Sequence, residues 1–418
     1  MQDVNRPGVR AVVAYLLGTS FFFYAFVQRV SPSVMTEELM RDFAIGGAGI
    51  GLLSGVYFYT YALIQLPVGL LIDRVGARKL MSLALVVCAL CCVGFALSES
   101  LISASVSRAL IGASVAFSFV GTLSIASLFF PPSRFAMLAG ILLAVGMCGA
   151  IAGQAPLRLL MDGVGWRNTF KVLGFVALLQ AILIYIAVPK RPVGSTKVGN
   201  VDSIWLGLSA VLVNRQSWCC AIAGYGLSAT MLSFAGLWAV PWLSSTHDID
   251  KTQAAFIASA MFAGWAVGSP AAGWFSDAIG RRKPVLIGGA LVAIMTLTII
   301  IHVNVQRPVF LALLFFINGL GCCSMVVCFG LVKEWNPSKN TASAVGFTNM
   351  WIVASGAVMQ PLIGWLLDKQ WSGETINDVR IYSPEAYQLA LSSLIVLSLV
   401  ALIASMLVGE THCKPQID

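Results

Sequence analysis

Two arginines stand inside otherwise apolar stretches of this 418-residue chain, Arg29 in FFFYAFVQRVSPSVM and Arg108 in SRALIGASVAFS. A guanidinium in hydrocarbon is costly and marks a functional position by default. Its planar fork binds carboxylate or phosphate through paired hydrogen bonds. With the first stretch rising from Ala11 at the cytoplasm, Arg29 lies about 27 Å along it at 1.5 Å per residue. Arg108 descends from Leu101 and lies roughly 10 Å below the outer end. At similar depth the pair would form an anion grip; the other reading of Arg29 is a side chain that snorkels to the outer interface.

Polar and aromatic residues recur at helical spacing around this pair. Tyr24 precedes Arg29 on the first stretch, while Tyr57, Tyr61 and Gln65 share one helix face, as do Ser114, Ser118 and Thr122. Gln154 and Arg158 form a further pair, as do Asn349 and Gln360, and Tyr225, Trp265 and Asn318 complete the expected substrate-binding set. Such stripes also serve as interhelical hydrogen bonds; their convergence predicts a modestly polar site with aromatic walls.

Other chemistries find little support. No nucleophile and base stand at catalytic spacing, so an enzyme is not expected. The CxxC at Cys88 and Cys91 has no second ligand pair, and His247, His302 and His412 fall in loops or the tail, so neither metal nor cofactor is expected. No Asp, Glu or His lies within an apolar stretch. Coupling to a proton or ion would use rim carboxylates such as Glu37 or Glu38; otherwise the protein is a facilitator or exchanger.

The elements that must position these residues follow from composition. Hydrophobic residues make up 58% of the chain and charged residues 11%, far below a soluble domain. At about 20 apolar residues per span, twelve helices are expected, centred near residues 21, 59, 88, 112, 146, 177, 230, 264, 292, 319, 354 and 397. The net charge of +8 does not signal nucleic acid, because the basic residues alternate by loop. By the positive-inside rule both termini are cytoplasmic; Arg158, Arg167 and Lys171, placed around the turn between helices five and six, break the pattern.

The chain is two copies of one unit. GLLIDRVGARK at Gly69 to Lys79 is matched by GWFSDAIGRRK at Gly273 to Lys283, with Asp73/Asp277, Gly76/Gly280 and Arg78/Arg282 all 204 positions apart. Gly140/Gly346, Gln154/Gln360 and Asp162/Asp368 stand 206 apart. Parallel repeats of apolar segments are a construction of membrane transporters. The expected division is a six-helix bundle over 1–188, a cytoplasmic linker over 189–216 and a second bundle over 217–418. Ile204, Trp205, Leu208, Val211 and Leu212 give the linker an amphipathic stripe that suits an interfacial helix. Gly51/Gly55, Gly149/Gly153 and Gly264/Gly268 form G-x-x-x-G pairs, which we expect at contacts between the two halves, with contacts between copies of the chain as the other reading.

With twelve spans, a 6+6 repeat and G-x-x-x-D-R-x-G-x-R-K after helix two, the chain resembles the major facilitator superfamily (MFS). Arg108-Ala-Leu-Ile-Gly112 resembles its second motif, where the arginine is structural, tied to coupling or in contact with substrate, and Gly165-Trp166-Arg167 is a further common feature. The resemblance implies an all-α MFS fold of two six-helix bundles, working by alternating access. Gly69, Asp73, Arg74, Gly76, Arg78, Asp277, Gly280 and Arg282 would form the conformational gate. Asp73 suits the positive end of a helix and the arginines suit carboxylates or helix carbonyls. Arg29 is similar in position to an arginine of organophosphate and anion:cation symporter branches, and RVSPSVM weakly resembles proteobacterial amino-acid carriers. Helix seven lacks the organophosphate branch's second arginine, and IGASVAFS lacks the glutamate of the symporters. A small organic anion or amino acid is therefore the expected solute, carried by a monomer in a bacterial inner membrane. Drug efflux and a non-transporting solute receptor are the alternatives.

Overall fold

The computed structural model describes residues 8–131, 134–189 and 209–417. Among them are twelve helices long and apolar enough to cross a membrane. Helices one to six are Val9–Val34, Gly47–Gln65, Ala77–Ala96, Leu101–Phe129, Met137–Val164 and Trp166–Ala187. Helices seven to twelve are Arg215–His247, Lys251–Ala278, Lys283–His302, Pro308–Glu334, Ser343–Lys369 and Pro384–Leu407. Each expected centre falls inside its helix. The amphipathic stripe of the linker lies mainly outside the described residues. His247 and His302 end helices seven and nine rather than lying in loops.

Contacts divide the chain into two units, Met1–Ser31 with Val56–Gly199, and Pro32–Gly55 with Asn200–Asp418. The opening of helix two thus packs within the second unit, and its sequence explains how. Gly46 and Gly47 offer no capping side chain, and Asp368 at the end of helix eleven supplies the cap instead. Its Oδ1 accepts from the Gly47 N–H at 2.9 Å and its Oδ2 from the Ala48 N–H at 2.8 Å. A Cβ on Gly46 would stand 2.5 Å from the Asp368 Oδ1, so only glycine admits the carboxylate. The repeat counterpart of Gly46 is Asp250, which caps helix eight itself through the Thr252 and Gln253 N–H groups.

A short hairpin completes this junction. Thr375–Ile376 pairs with Val379–Arg380 around Asn377 and Asp378, both with positive φ, the conformation of a type I′ turn. The turn sends Arg380 back to Asp368 at 3.2 Å, with its guanidinium over Trp371. The Tyr382 hydroxyl donates to the same carboxylate at 2.6 Å. Burial, followed by the neighbouring Asp368 carboxylate, pushes the Tyr382 phenol far above its ordinary range.

The small-residue pairs behave differently from expectation. Gly51 packs its helix on the Gln360 carbonyl of helix eleven, and Gly55 faces Ala357, so this pair does join segments from the two repeats. Gly149 and Gly153, however, press helix five against Phe23 and Val27 of helix one, and Gly264 and Gly268 press helix eight against Phe316 and Leu320 of helix ten. Those four serve packing inside one repeat, because each repeat must itself bring backbones together without a hydrophobic drive.

Replacing Asp368 by alanine strips two N–H groups of their cap and leaves Tyr382 and Arg380 without their acceptor. Caps and buried acceptors of this kind are worth about 1–2 kcal/mol apiece, so the variant should lose roughly 2–3 kcal/mol. Thermal melting of the purified protein checks this; a variant that melts with the wild type would show that the cap is idle.

Candidate functional site

Helices one, two and four of the first unit bring the two intramembrane arginines to one turn of helix one. Arg108 is fully buried, and its Nη1 donates to the Gln28 carbonyl at 3.0 Å. Arg29, the next residue, is 7% exposed. Its guanidinium carbon lies 4.2 Å from the Phe26 ring centroid, 4.9 Å from Tyr61 and 5.8 Å from Phe58. Tyr57 closes the arrangement. Its ring stacks on Tyr61 and lies 5.2 Å from the Arg108 guanidinium, while its hydroxyl donates to the Ala25 carbonyl at 2.9 Å. Ring faces attract cations most strongly where water is excluded.

The R-x-x-x-G spacing has a mechanical cause here. A Cβ on Gly112 would stand 2.3 Å from the Tyr57 carbonyl oxygen, so helix four comes this close to helix two only through glycine. Thr60 reinforces the crossing by donating to the Ala109 carbonyl at 2.6 Å. One turn earlier on helix four, this contact carries Arg108 to the Gln28 carbonyl. The second motif is thus a positioning device for the arginine.

Gln28 is the partner that sequence reasoning missed. Fully buried, it donates to the Tyr24 hydroxyl at 2.6 Å and to the Cys92 Sγ at 3.2 Å. Tyr24 itself donates to the Leu173 carbonyl at 3.0 Å, tying helix one to helix six. The spacing of Tyr24, Gln28 and Arg29 on one helix was the available signal. Phe26 and Phe58, which flank Arg29, were hidden among many apolar neighbours.

Gln65, on the same face of helix two, has a buried Nε2 without a protein partner. Gln154 and Arg158 do not share an unbroken helix. Helix five breaks between Ala152 and Ala155, and Gln154 takes φ −99° and ψ −112° at the break. Arg158 sits within the helical stretch that follows, with 11% side-chain exposure, and pairs with Asp162 at 2.6 Å. It therefore corrects the sequence reading that put it near a turn and left only Arg29 and Arg108 inside spans.

The second unit places its candidates differently. Asn318 donates to the Ala293 carbonyl and to Thr296, each at 3.0 Å, so its amide joins helices ten and nine. Tyr225 contacts the Trp351 ring, and Trp265 is buried with its indole N–H unpartnered. Asn349 is half-buried on helix eleven. Gln360 reaches an element that periodicity does not show: helix seven runs as a π-helix from Thr230 to Trp238, wholly buried. A π stretch loosens the ordinary carbonyl ladder. The Gln360 Nε2 donates to the Leu232 carbonyl at 2.8 Å, and the Trp238 indole donates to the Gln360 carbonyl at 3.1 Å. The Gln360 Oε1 and the hydroxyls of Ser228 and Ser233 have no protein partner.

The repeated cytoplasmic motif explains its own glycines. Gly76 and Gly280 have φ +91° and +63°, the left-handed region that side chains disfavour, and each turns the chain between two helices. Gly69 stands in open space. Arg74 is exposed, and the Asp73 side chain lies outside what is described. In the second copy Arg282 binds Asp277 at 2.6 Å and Glu334 at 2.8 Å. Burial opposes its charge, but those carboxylates outweigh it and hold the guanidinium more firmly protonated. Glu410 accepts from the Arg282 and Lys283 N–H groups at 2.9 and 3.0 Å, capping helix nine from the chain's tail. Burial pushes its carboxyl upward, yet these and neighbouring N–H bonds prevail and hold it below its ordinary 4.5.

Comparison with known proteins agrees with this architecture. Residues 17–240 and 221–415 each match the family described as Major Facilitator Superfamily. A quinolone resistance transporter of Acinetobacter baumannii is 28% identical over 218 residues, a match spanning 49% of this chain and 48% of that protein. A putative tartrate transporter of Agrobacterium vitis is 22% identical over 83% of this chain and 84% of its own length. Among solved structures, a bacterial homolog to the human lysosomal transporter Spinster superposes with a TM-score of 0.77 at 16% identity, covering 96% of this chain and 98% of that one. This last likeness concerns the fold.

Gly112→Val should force helix four away from Tyr57, costing about 1–3 kcal/mol as overpacking does. Thermal melting reads the cost; unchanged melting would mean the crossing tolerates a side chain. Glu410 gives a pH test. Its depressed carboxyl contributes stability above the unfolded value near 4.5, and that stability is lost as pH falls through the lower folded value. The melting gap between wild type and Glu410→Gln should therefore close on acidification below pH 4.5; a constant gap would refute the linkage.

Proposed function

The chain belongs to the Major Facilitator Superfamily, and from that membership we propose that it carries a small carboxylate-bearing solute, an organic anion or an amino acid, by alternating access. One observation carries the reading: Arg29 and Arg108 converge on one turn of helix one among aromatic rings, with no carboxylate among the groups described around them. Two desolvated guanidiniums favour an anion strongly, since charge-assisted bonds exceed neutral ones and a low dielectric magnifies them. Arg108 already gives one N–H to the Gln28 carbonyl, while its Nε and Nη2 have no protein partner. It retains donors for a second oxygen. Similarity to a putative tartrate transporter over most of both chains supports the same class.

The polar positions are assigned accordingly. Arg29 and Arg108 hold the anionic group, with Tyr24, Tyr57, Tyr61 and Gln65 shaping their surroundings. Gln360, Trp265, Tyr225 and Asn349 are the candidates of the second unit. Asn318, Gln154 and Arg158 belong to the scaffold that keeps those helices in place. The repeated motif residues Gly69, Asp73, Arg74, Gly76, Arg78, Asp277, Gly280 and Arg282 work as the conformational latch, because their charge pairs can form in one state and part in another. A multi-pass protein of this kind would sit in a bacterial inner membrane with cytoplasmic termini.

Export of drug-like compounds is the second reading, favoured by the half-length match to a quinolone resistance transporter. A thermal-stability screen separates the two. Wild type and Arg29→Gln would be heated with tartrate, galactonate, proline, glucose 6-phosphate or norfloxacin. A ligand at 100 times its dissociation constant adds about 2.7 kcal/mol to the native state. We expect a carboxylate to stabilise wild type and to lose that effect in the folded variant. Norfloxacin stabilising both proteins alike, with the other four inert, would replace the carboxylate reading by the drug-like one.

A further inference from the structure

The two copies of the repeated motif have different residues at the place of Glu334 beside the same arginine. In the second copy Arg282 is neutralised from within the chain, by Glu334 at the end of helix ten and by Asp277. Helix ten corresponds to helix four. The repeat offsets of 204 and 206 carry Glu334 onto Phe130 and Leu128, so no carboxylate occupies its place in the first copy. At that place is a cavity of about 210 Å³, lined by Val75 to Lys79, by Ile125, Leu128 and Phe129 of helix four, and by Tyr185, Val188 and Pro189 at the end of helix six.

Its walls combine two chemistries. Arg78 is braced with its guanidinium carbon 4.5 Å from the Tyr185 ring centroid, and Lys79 is exposed beside it. Among the described lining residues none is acidic. The remaining wall is mainly apolar and continues onto exposed apolar faces of the adjoining helices, Leu83 and Leu90 on helix three and Ile182 and Ile186 on helix six. Alternation of basic loops puts this end at the cytoplasmic leaflet, whose anionic lipids draw paired basic residues.

We propose that this cavity binds the phosphate of an anionic phospholipid, which supplies Arg78 from the bilayer with the negative charge that Glu334 supplies to Arg282 from the chain. The phosphate meets Arg78 and Lys79, and an acyl chain follows the apolar faces of helices three and six. A free phosphate would satisfy the two cations and leave those faces unused. The lipid therefore acts on the motif in the first repeat alone, and does so independently of the transported solute.

The test compares dioleoyl phosphatidylglycerol with dioleoyl phosphatidylcholine added to the detergent-purified full chain, read by native mass spectrometry and melting. Phosphatidylglycerol should be retained preferentially and raise the melting temperature. Arg78→Gln with Lys79→Gln should weaken its apparent affinity about 30-fold, each basic charge at a membrane surface contributing about fivefold. If that double variant does not fold, Leu128→Trp fills the cavity while keeping both charges, and it too should lose the preference. Retention of the preference in a folded variant overturns the proposal. So does equal stabilisation by sodium phosphate at the same concentration, which would make this a site for a free anion.

Discussion

The constraint on which this molecule depends is the burial of Arg108. A guanidinium removed from water must find hydrogen bonds and compensating charge, and no carboxylate is among the described groups around Arg108. The solution is local and rather demanding. A backbone carbonyl accepts from Nη1, the Tyr57 ring covers the guanidinium, and Gly112 permits the approach that makes both contacts. Gln28 gives its carbonyl to Arg108 while its amide holds Tyr24, and Tyr24 in turn holds Leu173. Removing one partner would disturb the next, so the arginine organises helices one, two, four and six together. Arg29 inherits its place from this frame, being the residue after the carbonyl that Arg108 grips.

Duplication has left the second repeat free to solve the same problems differently. Helix eight carries its own cap in Asp250, whereas helix two has Gly46 there and borrows Asp368 from helix eleven. The counterpart of that aspartate, Asp162, pairs with Arg158 on its own helix. Helix five breaks at Gln154, while helix eleven runs unbroken through the matching Gln360 and the distortion appears instead in the π stretch of helix seven. Each divergence moves a charge, a cap or a helix break without changing the helical frame.

How much of this was legible follows from what periodicity and spacing encode. Twelve spans are visible because each must present about 20 apolar residues, and the motif glycines are visible because positive φ demands glycine at Gly76 and Gly280. Partners are less visible. G-x-x-x-G states that a backbone approaches and leaves open which one, so Gly149 and Gly264 read as contacts between halves while they serve helices one and ten. Asn318 reads as a cavity residue and instead ties helix ten to helix nine. The π stretch leaves no periodic trace because Thr230–Trp238 is buried all round. Gln28, adjacent to Arg29, passed as an ordinary neighbour, since only the fold reveals that its amide and carbonyl serve two different partners.

Under the proposed function, some buried polar side chains join helices while others keep polar atoms without protein partners. Buried polar atoms in a stable interior are nearly always paired, because an orphan costs its full desolvation. Here Asn318, Tyr24 and Asp368 are saturated, and they join helices. The Nε and Nη2 of Arg108, Nε2 of Gln65, Oε1 of Gln360, and the indole N–H groups of Trp265 and Trp351 lack protein partners. They lie on helices two, four, eight and eleven, whose other polar side chains are largely satisfied. A carrier needs such groups, since donors already paired within the protein would have to break those bonds before gripping a solute. The same argument explains why the aromatic rings around Arg29 suit it: a ring face stabilises the cation without occupying its N–H donors. Under the proposed function, these rings would hold Arg29 while its buried Nε, which has no protein partner, stays available to a solute.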